Sequence, residues 1–324
     1  MNTKKLKNQV LSGLLLWLVC GCPATVHDDD DDADIPPAPD PLDFAQEVEQ
    51  SRLEQTISDL EGIGTRYTFS LGDEQARDYL VTRIEELGLL AELDPFTVGD
   101  ESADNIIVRH TGSEEPDVVF IFSAHYDSTS NEPSSYAPGA DDNASAVAAV
   151  LEALRLLTPH NFRYSLWFVF TAAEEQGSLG SEHMVEWLAA EPIEVRGVIA
   201  PDMIGYWPLG DDDLVDILGD EDSEHLVERV ANIADLLGVA HKTWIFHNYC
   251  YGDDHSNFQE ASFPAISAMD CVEAHNLPES GESTPHYHRS SDRLETLHMP
   301  FTTRVTGLLT ASLADLGQPI STAN

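Results

Sequence analysis

Two uninterrupted apolar runs, at 118–122 and 166–170, constrain the fold of this chain more than any other feature. Runs of this length without polar alternation are typical of strands buried on both faces of a parallel sheet. Weaker strand patterns occur at 105–108 and 198–201, and helical patterns occur at 72–88, 144–157, 181–190 and 301–316. Because strand and helix patterns alternate, the sequence predicts an α/β fold whose mostly parallel central sheet is covered by helices.

The charge of the chain excludes several classes of partner. The 324 residues contain 16 Lys and Arg against 58 Asp and Glu, which gives a formal net charge of −42. A polyanion of this size is repelled by phosphate backbones and by anionic lipid headgroups, so we expect no nucleic-acid partner and no basic membrane patch. Hydrophobic residues make up 42% of the chain, which is enough for a globular core.

The first residues form an export signal. Lys4, Lys5 and Lys7 precede an apolar run at 10–19 that is too short for a comfortable membrane span. The sequence Val-Cys-Gly-Cys that ends at Cys22 resembles a bacterial lipobox. We therefore expect an exported lipoprotein at the cell envelope or outer surface, attached to the membrane only through a lipid at Cys22. Simple secretion is the alternative.

The segment after Cys22 has the composition of a tether. It contains five consecutive aspartates at 28–32 and four prolines between 36 and 41, without apolar periodicity. The predicted organisation is a signal peptide at 1–22, an acidic Pro-rich tether at 23–41 and one globular domain at 42–320. Cys250 and Cys271 remain in this domain, where export favours a disulfide and two buried free thiols are the alternative.

Three of the predicted strands are followed by side chains that can bind a metal. His125 and Asp127 follow the first apolar run, Glu174 and Glu175 follow the second, and Asp202 follows the strand pattern at 198–201. Open α/β sheets place their sites beyond the carboxyl ends of the strands. Apolar strands that end in carboxylates would bury unpaired charge unless a cation binds there. Imidazole and carboxylate ligands without cysteine favour zinc or a similar divalent metal.

These residues carry a family resemblance. The motifs are His-x-Asp at 125–127, Gly-Ala-x-Asp-Asn at 139–143, Ala-Glu-Glu at 173–175, Asp-Met at 202–203 and His-x-x-x-Asp at 288–292. Their set and order resemble the secreted di-zinc aminopeptidases, which include aminopeptidase Y, aminopeptidase S and the bacterial leucyl aminopeptidases. The likeness extends from about residue 53 to residue 316. It implies the zinc-exopeptidase fold, a three-layer α/β sandwich.

The resemblance also implies a role for each residue of the site. Two Zn²⁺ ions per chain would share Asp142. The resemblance also implies a cis peptide bond between Asp142 and Asn143. Asp127 would orient one of the ligand histidines, and Asp292 would support the loop that carries another. The implied ligands are His125 and Asp202 for one metal, Glu175 and His288 for the other, and Asp142 for both.

The implied reaction is peptide hydrolysis by a hydroxide that bridges the metals, with Glu174 as the general base. Relatives place a tyrosine near the reacting carbonyl, and Tyr249 and Tyr251 are the residues of this chain that lie near that position. His183 and His255 are assigned structural roles, and His286 is not chosen as the ligand because the family spacing to Asp292 fits His288.

The leading function is a monomeric aminopeptidase that removes N-terminal residues from peptides. An acidic cleft suits the α-ammonium group of such substrates. A carboxypeptidase or a glutaminyl cyclase on the same scaffold is the first alternative, and a non-catalytic peptidase-like binding domain is the second.

Overall fold

An eight-stranded mixed sheet forms the centre of the described part of the chain, residues 37–207, 214–245, 253–269 and 284–321 of a computed structural model. The strands are β1 (Glu92–Val98), β2 (Glu101–His110), β3 (Glu115–His125), β4 (Tyr164–Thr171), β5 (Glu194–Ile199), β6 (Val215–Gly219), β7 (His241–Ile245) and β8 (Ala265–Met269). Their order across the sheet is β1-β2-β4-β3-β5-β8-β6-β7.

The centre of the sheet is parallel and its flanks are mixed. Strands β4, β3, β5 and β8 run parallel to one another, and so do β6 and β7. Strand β2 is antiparallel to both β1 and β4, and β6 is antiparallel to β8. The parallel centre brings the carboxyl ends of β4, β3 and β5 side by side, with His125 of β3 paired to Thr171 of β4.

Helices cover both faces of the sheet, and alternate residues of the central strands contact the two layers. Phe120 and Phe122 of β3 belong to the core that includes the long helices before and after them in the chain, whereas Val119 and Ile121 face the opposite layer. The helices are α1 (Pro41–Gln46), α2 (Gln50–Gly62), α3 (Leu71–Glu86), α4 (Ala146–Leu157), α5 (Leu179–Leu188), α6 (Glu224–Leu237), α7 (Asp254–Glu260) and α8 (Met299–Gly317).

The two faces are covered by different helices. Residues of α2, α3, α4, α6 and α8 form the larger core, while Met184 and Leu188 of α5 and Phe258 of α7 pack on the other face. This arrangement of helix, sheet and helix confirms the predicted three-layer α/β sandwich with a mostly parallel sheet. The strong apolar patterns of the sequence correspond to β3, β4 and α4, which lie at its centre.

Local sequence explains where two of the helices begin. The side chain of Ser70 accepts the Asp73 N–H and so caps α3. The α4 pattern predicts a helix from residue 144, but a short π-helical turn occupies Ala140–Ser145 and α4 begins at Ala146.

Within the described residues, no helix has the length and apolarity that a membrane span requires. The predicted boundaries at residues 22 and 41 stay predictions.

Candidate metal centre

Three neighbouring strands present ligand side chains at one edge of the sheet. His125 is the last residue of β3, Glu174 and Glu175 lie just beyond β4, and Asp202 lies three residues beyond β5. Asp142 lies in the π-helical turn before α4, where its backbone departs from helical geometry with φ −105° and ψ 91°. The site is therefore assembled at the carboxyl end of the parallel strands, as the sequence predicts.

The structure brings the five predicted ligands into two groups that share one aspartate. In each group the potential ligand atoms all lie within 4.8 Å of one another. The first group consists of His125, Asp142 and Asp202, and the second of Asp142, Glu175 and His288.

The two carboxylate oxygens of Asp142 face different histidines. Oδ1 lies 3.3 Å from His125 Nε2, and Oδ2 lies 3.3 Å from His288 Nε2. His125 Nε2 is also 3.6 Å from Asp202 Oδ2, and His288 Nε2 is 3.1 Å from Glu175 Oε2. This is the arrangement by which one carboxylate bridges two cations.

Glu174 lies beside the centre but outside both groups. Its Oε2 is 3.9 Å from His125 Nε2, and its Oε1 accepts a hydrogen bond of 3.0 Å from the Ser178 hydroxyl. Glu175 points differently, because its Oε1 accepts the Thr129 N–H at 3.0 Å and leaves Oε2 for His288. The two adjacent glutamates thus occupy distinct positions.

Asp127 supports the centre from below and is itself completely buried. Its Oδ1 lies 3.4 Å from His125 Nδ1, and the Thr68 hydroxyl donates to its Oδ2 at 2.7 Å. The carboxylate also accepts the N–H groups of Glu174 and Glu175, at 3.1 and 3.2 Å. Asp127 therefore contacts the ring of His125 and the backbone of Glu175, which are both candidate ligands.

The electrostatics of the centre favour added positive charge. Burial raises the pKa of Glu175 to about 8 and holds the pKa of Asp202 above its ordinary range. Burial opposes protonation of His288, yet its contacts with Asp142 and Glu175 raise the pKa of its imidazole to about 10. Asp142 is also desolvated, but His125 and His288 hold its pKa below the ordinary value.

The polar atoms of the centre lack the partners that buried groups normally have. His125 is 2% exposed, yet neither of its ring nitrogens has a hydrogen bond to any described residue. The same holds for Oδ1 of Asp202. Since buried polar groups are costly when unpaired, these orphaned atoms fit a bound divalent cation.

Several sequence expectations have clear outcomes. The Asp142–Asn143 peptide bond is cis. His286 lies outside both groups, with its Nδ1 2.9 Å from the Ser291 hydroxyl, and His183 is 3.1 Å from Asp94. His255 is buried in the first turn of α7. Tyr249, Tyr251, the Cys250–Cys271 pair and the signal-peptide cysteines lie outside the described residues.

Asp292 contacts both the His288 loop and the turn that carries Asp142. Its N–H donates to the carbonyl of Arg289 at 3.0 Å, and its carboxylate accepts the N–H groups of Asp141 at 2.9 Å and of Asp142 at 3.0 Å. Asp292 therefore fixes the turn that carries the shared aspartate. The physical reason is that two successive backbone N–H groups point into one pocket, where a carboxylate can satisfy both.

Sequence reasoning did not find Arg66, which is fully buried beneath the centre. Its guanidinium donates to the carbonyls of Tyr126, Pro138 and Gly139 at 2.8, 2.6 and 2.9 Å. It thereby joins the end of β3 to the turn before Asp142. These partners lie between 60 and 73 positions away in sequence, so no local signal points to them.

The sandwich fold, with two groups of potential metal ligands at the carboxyl ends of its parallel strands, is the arrangement expected of an α/β metalloenzyme. A family model described as peptidase family M28 matches residues 105–313. The chain belongs to peptidase family M28, and the predicted relationship and enzyme class are confirmed.

Individual relatives have low sequence identity to this chain but align with most of its length. A probable zinc metalloprotease of Pyrenophora teres f. teres is 26% identical and aligns with 96% of this chain and 78% of its own length. A probable aminopeptidase of Saccharomyces cerevisiae is also 26% identical, over 85% of this chain and 75% of its own.

Solved structures share the fold at low sequence identity. The LapA aminopeptidase of Legionella pneumophila has a TM-score of 0.71 at 21% identity, covering 87% of this chain and 75% of its own. The zinc aminopeptidase BSAP of Bacillus subtilis has a TM-score of 0.72 at 16% sequence identity, and the match covers 84% of this chain and 96% of its own. A glutaminyl cyclase of Porphyromonas gingivalis has a TM-score of 0.67 at 17% sequence identity, and the match covers 83% of this chain and 99% of its own.

Proposed function

We propose that this protein is a co-catalytic di-zinc aminopeptidase that removes N-terminal residues from peptides. The observation that carries the proposal is Asp142, whose two oxygens face His125 and His288 in two separate ligand groups. Family membership supports peptide hydrolysis, and the names of the relatives support zinc and action at the N-terminus.

The donor set determines which metal would bind. Each group offers one imidazole nitrogen and two carboxylates, which suits zinc better than calcium. Residues His125, Asp142 and Asp202 would hold one ion, and Asp142, Glu175 and His288 the other. When bound, such a pair acidifies water and polarises a carbonyl oxygen.

Glu174 has the position and the chemistry of a general base. Burial raises the pKa of its carboxyl well above the ordinary value, which improves it as a proton acceptor near neutral pH. The Ser178 hydroxyl holds one of its oxygens, and the other points toward His125. We assign to Glu174 the transfer of a proton from the attacking water to the leaving amine.

Tyr287 places a phenol beside His288 and is a candidate to stabilise the developing oxyanion. Its ring stacks on His288 with centroids 3.7 Å apart. Burial and the negative charges of Asp142 and Asp202 raise the pKa of its hydroxyl, which keeps it a neutral donor at pH 7. No cue in the sequence separates it from the other tyrosines.

The alternative of a carboxypeptidase requires a cation that receives the α-carboxylate of the substrate. Arg66 is fully buried and committed to backbone carbonyls, so a substrate cannot reach it. The centre instead adds the carboxylates of half-buried Asp253 and buried Asp254, and desolvation raises the pKa values of both. Surplus negative charge favours substrates with a free α-ammonium group.

A substrate screen with metal counting tests the proposal. We expect about two zinc ions per chain, hydrolysis of aminoacyl substrates, and no turnover of their N-blocked counterparts. Chelation should abolish activity, and zinc or cobalt should restore it. Hydrolysis from the C-terminus would favour the carboxypeptidase, and release of ammonia from N-terminal glutamine with one zinc would favour the cyclase. Full activity in rigorously metal-free protein would reject all three.

We also propose export and lipidation at Cys22, on the basis of the basic start, the apolar run and the lipobox-like sequence. Cys22→Ser should give protein without lipid that is released or left as the uncleaved precursor, because the acceptor thiol is missing. Cys20→Ser is the matched control and should be processed normally. The measurements are membrane fractionation and intact mass. Normal processing with unchanged membrane retention of Cys22→Ser would contradict the assignment.

A further inference from the structure

The loop after β5, which carries Asp202, is held by side chains of the turn that carries Asp142. The carboxylate of Asp141 accepts the N–H of Gly205 at 2.7 Å and the N–H of Tyr206 at 3.1 Å. Asp141 is 2% exposed, so these hydrogen bonds form away from water.

Two further side chains of the same turn hold the same loop. Asn143 donates to the carbonyl of Pro201 at 3.1 Å and accepts the Met203 N–H at 3.3 Å, so it binds the backbone on both sides of the candidate ligand. The Ser145 hydroxyl accepts the N–H of Ile204 at 3.1 Å. Both side chains are fully buried. We call Asp141, Asn143 and Ser145 the β5-loop clamp.

The loop after β4, which carries Glu175, is held by a different side chain. Asn105 on β2 accepts the N–H of Ala172 at 3.1 Å and donates to the carbonyl of Gly180 at 2.9 Å, so it ties the two ends of the loop together. A Cβ added at Gly180 would lie 2.4 Å from Asn105 Oδ1, which shows how closely the loop approaches. We call Asn105 the β4-loop clamp.

We propose that these clamps position the two metal sites separately. The β5-loop clamp would set the site of His125, Asp142 and Asp202, and the β4-loop clamp would set the site of Asp142, Glu175 and His288. The inference rests on the proposed function, since it requires two bound metals. Its physical basis is that the described hydrogen bonds of Asn143 and Ser145 to one loop, and of Asn105 to the other, have no residue in common.

The test compares Ser145→Ala with Asn105→Ala in stepwise zinc titrations of metal-free protein. Loss of a group that orients a ligand typically weakens metal binding by about 10–100-fold. We expect Asn105→Ala to weaken one of the two sites by at least about tenfold and to leave the other within about twofold. Ser145→Ala should weaken the other site by at least about tenfold. Because the Ser145 hydroxyl also donates to the Asp141 carbonyl at 2.8 Å, within the turn that carries the shared Asp142, this variant should affect the second site less strongly rather than not at all. Cobalt spectra of the same proteins report the ligand geometry independently of activity.

Two ligand variants identify which site is affected. In Asp202→Ala, the remaining site should be weakened more by Asn105→Ala than by Ser145→Ala. In Glu175→Gln, the remaining site should be weakened more by Ser145→Ala than by Asn105→Ala. Ser267→Ala is the matched control, because this buried hydroxyl on β8 has no hydrogen-bond partner among the described residues. It should bind both metals as the unaltered protein does. Asn105→Asp, which keeps the acceptor for Ala172, replaces Asn105→Ala if the latter fails to fold.

The outcomes separate this inference from the proposed function. One zinc or none in the unaltered protein would overturn the proposed function before any variant is compared. Two zincs, with both sites weakened equally by either variant or with neither site weakened, would overturn the separate positioning alone. The crossed pattern in the two ligand variants would establish it.

Discussion

Glu174→Gln should reduce kcat by about 10²–10⁴-fold while both metals stay bound and KM changes little. The glutamine retains the size of the side chain and an oxygen that can accept from Ser178, but it cannot take a proton. Because Glu174 belongs to neither ligand group, the substitution leaves the metal donors in place. The measurement is zinc content and steady-state kinetics on the same preparation.

Glu175→Gln and Glu182→Gln provide the comparison. Glu175 is a member of the second ligand group, so its substitution should weaken one metal, and added zinc should partly restore activity. Glu182 is exposed on α5, so the same chemical change there should leave kcat and metal content unaltered. If Glu174→Gln lost metal while Glu175→Gln retained it and lost only turnover, the two roles would be exchanged. Full activity of Glu174→Gln would reject the mechanism.

The centre of the fold was predictable because burial on both faces leaves a strong pattern. Strands β3 and β4 read as continuous apolar runs, and their polar ends stand out against them. The edge strands of the sheet were harder to predict. Strand β1 contains Pro95 and alternates between exposed residues and residues that are mostly only half-buried, and β7 is only partly buried. Edge strands tolerate proline and polar residues, so their sequences resemble loops.

The residues of the candidate site likewise divide into those that the sequence predicts and those that it does not. Side chains at strand ends were found because their positions follow from the sheet. Asp127, which the family resemblance implies, lies two residues after His125 and contacts its ring. The other residues that hold the ligand loops were missed, because their partners are far away in sequence. Asn105 contacts Gly180 across 75 positions, and Asp141 contacts Gly205 across 64. Nothing local distinguishes such an asparagine or aspartate from a surface residue, and only the folded chain shows that each satisfies the backbone of a ligand loop.

Asp142→Ala should be more damaging than Asp202→Ala, because Asp142 alone contributes to both ligand groups. Loss of Asp142 removes a donor from each group and leaves His125 and His288 without the carboxylate that faces them at 3.3 Å. We expect zinc affinity to fall at both sites and kcat/KM to fall by about 10³-fold or more, since a metal pair supplies several kcal/mol of stabilisation. Asp202→Ala should weaken one site only.

The measurement is zinc stoichiometry beside kcat/KM for both variants, with circular dichroism to establish that each is folded. Asp142→Asn keeps the shape of the side chain and an oxygen on one side, so it should retain more metal than Asp142→Ala and separate loss of ligation from loss of folding. In the proposed mechanism, the shared aspartate would join the two metal sites into one catalytic centre. If Asp142→Ala kept both metals and turned over normally, the two ligand groups would not share Asp142, and the di-metal mechanism would have to be abandoned.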